Sequence, residues 1–295
     1  MGSLVWIGCS RYQDGGRGEM VMKEEFVLQV KGLSCSYEEG EKVLDGVSVN
    51  ISKGERIAVL GANGAGKSTF FLCLNGVLKP QEGELWLEGQ KIGSHKAKQL
   101  RKKVGIVFQD ADSQIIASTV RREVSFGPVN LRIPMEEVRL RTEQALDYMG
   151  IQRLGERPPH YLSGGEKKQV TIADIIAMEP EVFIFDEPSA ALDPVNSEIL
   201  EVVLSRLSRE GRTLMVSTHD VDFAYRFASR LLVFSQGRII GDGSPEELFA
   251  REEILKEAHL KQPILYQLGQ GLKEKGILKA TFSYPRTAQE LLKLL

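Results

Sequence analysis

Gly61-Ala62-Asn63-Gly64-Ala65-Gly66-Lys67-Ser68-Thr69 decides the fold of this chain. A glycine, four residues and then Gly-Lys-Ser is the spacing of a phosphate-binding loop, or P-loop. The chemistry requires these residue types. Glycines let the backbone wrap so that successive N–H groups point at phosphate oxygens. A helix opening near Gly66 adds its positive end. Lys67 is placed to reach the β- and γ-phosphates, and the Ser68 hydroxyl to bind Mg²⁺. A glycine-rich turn with no ligand fits the same spacing, so context matters. Arg56–Leu60 reads as a short apolar strand before the loop, and Lys67–Leu74 as a helix that stops at Asn75-Gly76. Strand, loop and helix in that order favour the cradle.

Further along, Val182-Phe183-Ile184-Phe185-Asp186-Glu187 places two carboxylates at the end of a continuous apolar run. Such a run suits a parallel strand buried on both faces. Ligands in parallel sheets bind at the strands' carboxyl ends. Asp186 is therefore a candidate for the Mg²⁺ shell, and Glu187 for the general base that polarises a water.

Between these motifs the chain alternates strands and helices. Phe26, Leu28 and Val30 alternate with Val27, Gln29 and Lys31, and Val47–Ile51 alternates similarly. Glu84–Leu87, Val104–Phe108 and Leu214–Ser217 read as further strands. Residues 110 to about 180 read as a helical insertion. It carries Gly127-Pro128, Pro134 and Pro158-Pro159, an amphipathic helix Met135–Met149 and a helix Leu162–Met178. Asp193-Pro194 opens a helix whose face is Ile199, Leu200, Val203, Leu204 and Leu207. The pattern predicts a mostly parallel sheet with helices on both sides. Ser244-Pro245-Glu246-Glu247 is a capping box, Thr287–Glu290 repeats it, and the chain from about 247 reads as small and mainly helical.

Bulk properties exclude several alternatives. A net charge of −2 over 295 residues argues against a surface devoted to nucleic acid or anionic lipid. Cys9, Cys35 and Cys73 are too scattered for a zinc site or a disulfide framework, and read as reduced structural thiols. No stretch approaches the roughly 18–20 apolar residues needed to cross a bilayer, so a membrane role must come through a partner. Residues 1–24 read as a disordered lead-in, since Leu4–Ile7 is too short for a signal-peptide core. Translation from Met20 or Met22 is a second reading of that segment.

Leu162-Ser163-Gly164-Gly165-Glu166, lying between Lys67 and Asp186, resembles the signature of ABC ATPases. A serine and two glycines at a helix start form a second phosphate site. The resemblance implies a head-to-tail dimer, in which each ATP lies between one subunit's P-loop and Ser163, Gly164, Gly165 and Glu166 of the other. It also assigns the smaller motifs. Tyr37, 24 residues before the P-loop, resembles the aromatic that stacks on adenine; an exposed strand-end tyrosine is the alternative. Gln109 resembles the Q-loop glutamine, which touches Mg²⁺ and the transmembrane partner. Asp193 resembles the D-loop aspartate while also suiting a helix N-cap. His219 resembles the switch histidine at the γ-phosphate; His95, His160 and His259 have no such context.

The match covers roughly residues 26–245. It implies an α/β fold: a P-loop NTPase of ABC type with a mostly parallel sheet core, an N-terminal antiparallel β subdomain and a helical subdomain (about 110–180). Residues 25–246 would form the ATPase domain, and 247–295 a C-terminal helical dimerisation appendage. Val107–Ile115 with Ser125–Pro128, Leu162–Lys168 with Ala177–Glu181, and Asp242–Glu247 resemble the energy-coupling-factor importers, particularly their cobalt-type ATPase subunits. That resemblance implies ATP and Mg²⁺ as cofactors, and a second ATPase subunit, identical or related, as partner. It adds an integral-membrane coupling subunit, a separate subunit that captures cobalt, nickel or a vitamin, no nucleic acid, and a peripheral position on the cytoplasmic face of the membrane. Another importer, an efflux ATPase or a non-transport ABC ATPase is the alternative. DNA-repair relatives carry a long coiled coil between P-loop and signature, whereas 95 residues lie between Lys67 and Ser163. Ribosome-associated relatives carry two cassettes; this chain has one set of motifs.

Overall fold

The computed structural model describes residues 26–37, 42–93, 97–190, 192–278 and 283–295. The lead-in 1–24, the alternative starts at Met20 and Met22, Cys9 and His95 lie outside them. Among the described residues, ten strands form two sheets. The first has the order β2 (Lys42–Ser52), β1 (Phe26–Ser36), β4 (Glu82–Leu87), β5 (Gln90–Lys91), with every pairing antiparallel. The second has the order β10 (Arg238–Gly243), β9 (Arg230–Ser235), β3 (Arg56–Leu60), β8 (Thr213–Ser217), β7 (Val182–Phe185), β6 (Val104–Val107). Only its β9–β10 hairpin is antiparallel; the other pairings are parallel.

Sequence explains that division. β6 and β7 are buried at every position, as a parallel strand sandwiched between helices must be, and their residues are correspondingly apolar. β2 instead alternates buried and exposed residues, and so faces water on one side. β3, which leads into the P-loop, lies at the centre of its sheet between β8 and β9. The loop is thereby flanked by the carboxyl ends of four other parallel strands.

The helices follow their caps. Helix α1 (Lys67–Asn75) starts at Gly66 and ends at Gly76, both at positive φ. The sequence α2 (Ala97–Lys103), α3 (Val120–Asn130), α4 (Met135–Tyr148) and α5 (Gly164–Met178) brings the last three together around Val124, Leu146, Ile172 and Ala173. Gly127-Pro128 lies inside α3. Proline there costs the one rung that would reach the Val124 carbonyl oxygen, and only two helical residues follow it. The helix read from Leu162 begins at Gly164, because Ser163 takes the N-cap position and forms a complete capping box with Glu166. Helix α6 (Pro194–Arg209) is capped by Asp193, whose carboxylate accepts from Asn196 N–H.

Beyond β10 the chain folds back onto the sheet. Helices α7 (Val221–Phe227), α8 (Pro245–Phe249), α9 (Glu252–Glu257) and α10 (Ile264–Glu274) share a core with β3 and β9 built on Ala58, Leu231, Tyr225, Phe249 and Tyr266. Tyr225 meets Phe249 and Tyr266 edge-on, and Tyr266 stacks on Tyr284. Arg286 donates to Ala228 carbonyl oxygen (2.7 Å) and to Glu246 (2.8 Å), with its guanidinium over the Tyr225 ring. The capping box at Ser244–Glu247 is complete. That at Thr287–Glu290, before α11 (Ala288–Leu294), is half formed: Thr287 accepts from Glu290 N–H, but the Glu290 carboxylate takes the N–H of Arg286. Cys35 and Cys73 are buried free thiols. Among the described residues no helix is long and apolar enough to cross a membrane.

Candidate functional site

The P-loop is held open by its surroundings. Gly61 has φ 144°, and a Cβ there would run into the backbone carbonyl oxygen of Phe234 at the end of β9. The Gln236-Gly237 turn of the β9–β10 hairpin braces the loop from beneath, with Gly237 N–H donating to Ala65 carbonyl oxygen (3.1 Å). No N-cap side chain accepts from the first turn of α1, so its N–H groups keep the donor capacity that a phosphate would use. Asn63, Gly64 and Ser68 are exposed, and Lys67 is buried. The Lys67 ammonium donates to the carbonyl oxygens of Gly61 (2.7 Å) and Ala62 (3.0 Å). Burial pulls its pKa below the usual lysine range, against the opposing pull of Glu187 and Asp186.

Both carboxylates stand at the end of β7. Asp186 is buried; its Oδ1 accepts from Ser217 Oγ (2.6 Å), and its N–H donates to Val107 carbonyl oxygen. Glu187 is the point of convergence. His219 Nε2 lies 2.6 Å and Lys67 Nζ 3.8 Å from Oε1, while Gln109 Nε2 donates to Oε2 at 3.3 Å. Three elements, α1, β6 and β8, thus deliver side chains to the carboxylate that follows β7. Glu187 has φ 43°, a left-handed conformation that costs a non-glycine residue about 1 kcal/mol or more. Ser217 Oγ accepts the Glu187 N–H at 2.8 Å, fixing that backbone.

The other motif residues are arranged around this centre. Tyr37 is 60% exposed just past β1, with its hydroxyl 3.1 Å from Thr69 Oγ1, so its ring stands beside the P-loop helix. The signature residues stand apart: no hydrogen bond or ion pair among the described residues joins Ser163, Gly164, Gly165 or Glu166 to the P-loop or to Glu187. Ser163 and Gly164 are exposed at the start of α5. Gly165 lies against Asn196, which bonds to Asp193 at 2.7 Å; a Cβ on Gly165 would strike the Asn196 amide. Hydrogen bonds from Asn196 hold the Asp193 carboxyl below the usual carboxylate range, and those from Ser163 do the same for Glu166.

Several contributors escaped the sequence reading. Ser217 supports both carboxylates, yet its only signal was its place at a strand end. Lys168 is buried and donates to Phe108 carbonyl oxygen (2.8 Å) and Gln109 carbonyl oxygen (2.7 Å). Burial brings its pKa down to about 8, partly opposed by Asp110 and Asp186. Gln114 accepts Phe108 N–H and donates to Thr171 carbonyl oxygen and Asp174.

The donor set fits magnesium nucleotide. Ser68 hydroxyl, Asp186 carboxylate and Gln109 amide are hard oxygen ligands of the kind Mg²⁺ takes.

Known proteins resemble this chain in sequence and in fold. Residues 44–190 match the ABC transporter family model. Over 273 residues, 92% of this chain and 68% of the relative, the sequence is 43% identical to the energy-coupling factor transporter ATP-binding protein EcfA2 of Methanospirillum hungatei. It is likewise 43% identical to EcfA of Methanothermobacter thermautotrophicus, covering 91% of this chain and 88% of that one. Among solved structures, cbiO1 from Clostridium perfringens, part of the ABC transporter complex cbiONQ, superposes with a TM-score of 0.70 at 39% identity. The match covers 85% of this chain and all of that one. A dimeric post-hydrolysis state of the ATP-binding cassette MJ0796 bound to ADP and Pi superposes with a TM-score of 0.67 at 28% identity, over 74% of this chain and 98% of that one. The chain belongs to the energy-coupling factor transporter ATP-binding proteins, ATPases of the ABC transporter class whose ATP hydrolysis is coupled to transport.

Proposed function

We propose that this ATPase works as one half of a head-to-tail pair that closes on ATP, and that it energises an importer of cobalt, nickel or a vitamin. One observation carries the reading. A P-loop lysine, a glutamine and a histidine from three other segments meet on Glu187, while Ser163 and the first turn of α5 offer a second anion cradle whose side-chain hydrogen bonds, among the described residues, belong to its own capping box and never reach the P-loop or Glu187. A second polypeptide supplies what the first cradle lacks.

In the cycle, the P-loop amides and Lys67 hold the β- and γ-phosphates, and Tyr37 stacks on adenine. The partner's copy of the signature caps the γ-phosphate. Ser68, Asp186 and Gln109 would hold Mg²⁺, which supplies charge neutralisation at the phosphates. Glu187 accepts the proton of the attacking water, an effect worth about 10²- to 10⁴-fold in rate. His219 orients Glu187, and the D-loop around Asp193 contacts the partner. Closure is favoured only while triphosphate bridges the cradles, so hydrolysis reopens the pair. Gln109 and the neighbouring helical layer contact the integral-membrane coupling subunit, and a further membrane subunit captures the substrate. The helical segment from 247 to 295 helps hold the pair together. This arrangement places the chain peripherally on the cytoplasmic face.

The test is sedimentation of Glu187→Gln with and without MgATP. A dimer that forms with ATP and persists, with hydrolysis lowered at least 100-fold, is expected. A strictly monomeric species at high protein concentration overturns the pair. Identifying membrane proteins that co-purify with the chain assigns the transported substrate.

A further inference from the structure

The segment from Phe108 to Gln114 is tied to α5 at three points. Lys167 Nζ lies 2.6 Å from Asp112 Oδ1. Gln114 spans from Phe108 N–H to Thr171 carbonyl oxygen and the Asp174 carboxylate. Lys168 donates to the two carbonyl oxygens that flank the Cα of Gln109, those of Phe108 and Gln109. The first tether is exposed on one side and cheap to lose. Lys168 is different, being 4% exposed. A buried ammonium is costly unless it is paired and fully bonded, and among the described residues no carboxylate lies within salt-bridge distance of it. Its hydrogen-bond partners are backbone carbonyls, so the contact depends on where the loop backbone sits rather than on loop side chains.

That loop carries Gln109, one of the groups on Glu187. The same helix carries Ser163 at its start, five residues before Lys168. We propose that Lys168 is a positioning residue that locks the Gln109 backbone to the signature helix, so that Gln109 and Ser163 move as one body. The inference rests on the paired-subunit reading above. In that pair, Gln109 serves the nucleotide on its own P-loop while Ser163 serves the nucleotide on the partner's. Lys168 then joins the two sites mechanically without touching either nucleotide. Its loss lowers turnover and leaves nucleotide capture by the P-loop intact.

The experiment compares wild-type full-length chain with Lys168→Met, which keeps the length and removes the charge and donors, and Lys168→Arg, which keeps both. Steady-state ATP hydrolysis gives kcat, and titration with a fluorescent ATP analogue gives Kd. The expected result is kcat lowered at least tenfold in Lys168→Met, Kd within threefold of wild type, and kcat restored to at least half by Lys168→Arg. Wild-type kcat in Lys168→Met overturns the proposal, as does an equal loss in both variants. Parallel loss of kcat and affinity also overturns it, by marking a merely structural role. Where Lys168→Met melts more than about 10 °C below wild type, Lys168→Leu, which also lacks charge and donors, replaces it under the same criteria. Ser163→Arg is measured alongside. If it hydrolyses ATP at the wild-type rate, the paired-subunit reading fails. If it is inactive while Lys168→Met is normal, only the role of Lys168 fails.

Discussion

His219 Nε2 stands 2.6 Å from Glu187 Oε1, and the two come from the ends of neighbouring parallel strands. A carboxylate in a left-handed backbone conformation has few ways to hold its aim, and the imidazole supplies one of them. Replacing His219 by Ala is expected to lower kcat about 10²-fold while ATP affinity changes less than threefold. Single-turnover hydrolysis beside equilibrium nucleotide binding separates these effects; an unchanged rate would remove His219 from the mechanism.

Lys67 contributes a buried positive charge to the loop that grips phosphate. In Lys67→Ala, affinity for ATP should fall at least tenfold, about 1.4 kcal/mol, and more than affinity for ADP. Isothermal calorimetry with both nucleotides gives the comparison, and equal losses would mean that Lys67 does not reach the γ-phosphate.

At Gly61 the constraint is steric. The Cβ of Gly61→Ala would meet the Phe234 carbonyl, which belongs to a central sheet strand and cannot swing aside. A cost of about 1–3 kcal/mol follows from strain and overpacking. Thermal unfolding should show a melting point lower by about 5 °C, together with weakened nucleotide binding. A variant as stable as wild type would mean the loop can shift away from β9.

Asp174 lies within the helical layer, with Oδ1 sealed from solvent and unpartnered and Oδ2 receiving Gln114. Burial, with some repulsion from Glu123, pushes its pKa up to about 7. The unfolded chain releases this proton near pH 4, whereas the native protein keeps it until about pH 7. The group therefore leaves stability unaffected below pH 4 and erodes it as pH rises from about 4 to 7, by about 1.4 kcal/mol per unit. Asp174→Asn should match wild type at pH 4 and exceed it at pH 8, by on the order of 2–4 kcal/mol in urea unfolding. A constant difference at both pH values would refute the buried proton.

Much of the sheet was legible because burial and composition coincide. Val182–Phe185 and Arg56–Leu60 are apolar runs of strand length, and both emerge with the bounds read from sequence. Capping at Asp193 and Ser244 was legible for a local reason: cap, partner and helix start lie within four residues. Long-range supports were not. Nothing near Lys168 in sequence announces that its ammonium will sit under residues 108–109, about 60 positions away. Ser217 likewise gains its two partners only when β7 and β8 pair. Helix α3 was obscured by Gly127-Pro128, where tertiary packing overrode local propensity.

Arg286 sits nine residues from the chain's last position yet is clasped by Glu246, the Ala228 carbonyl and the Tyr225 ring. Ala228 precedes β9, the strand whose end supports Gly61, so the tail fastens to the same girder that carries the nucleotide loop. Clipping the chain at residue 282 would strand the Glu246 carboxylate, bare one face of Tyr266 and loosen that girder from its far end.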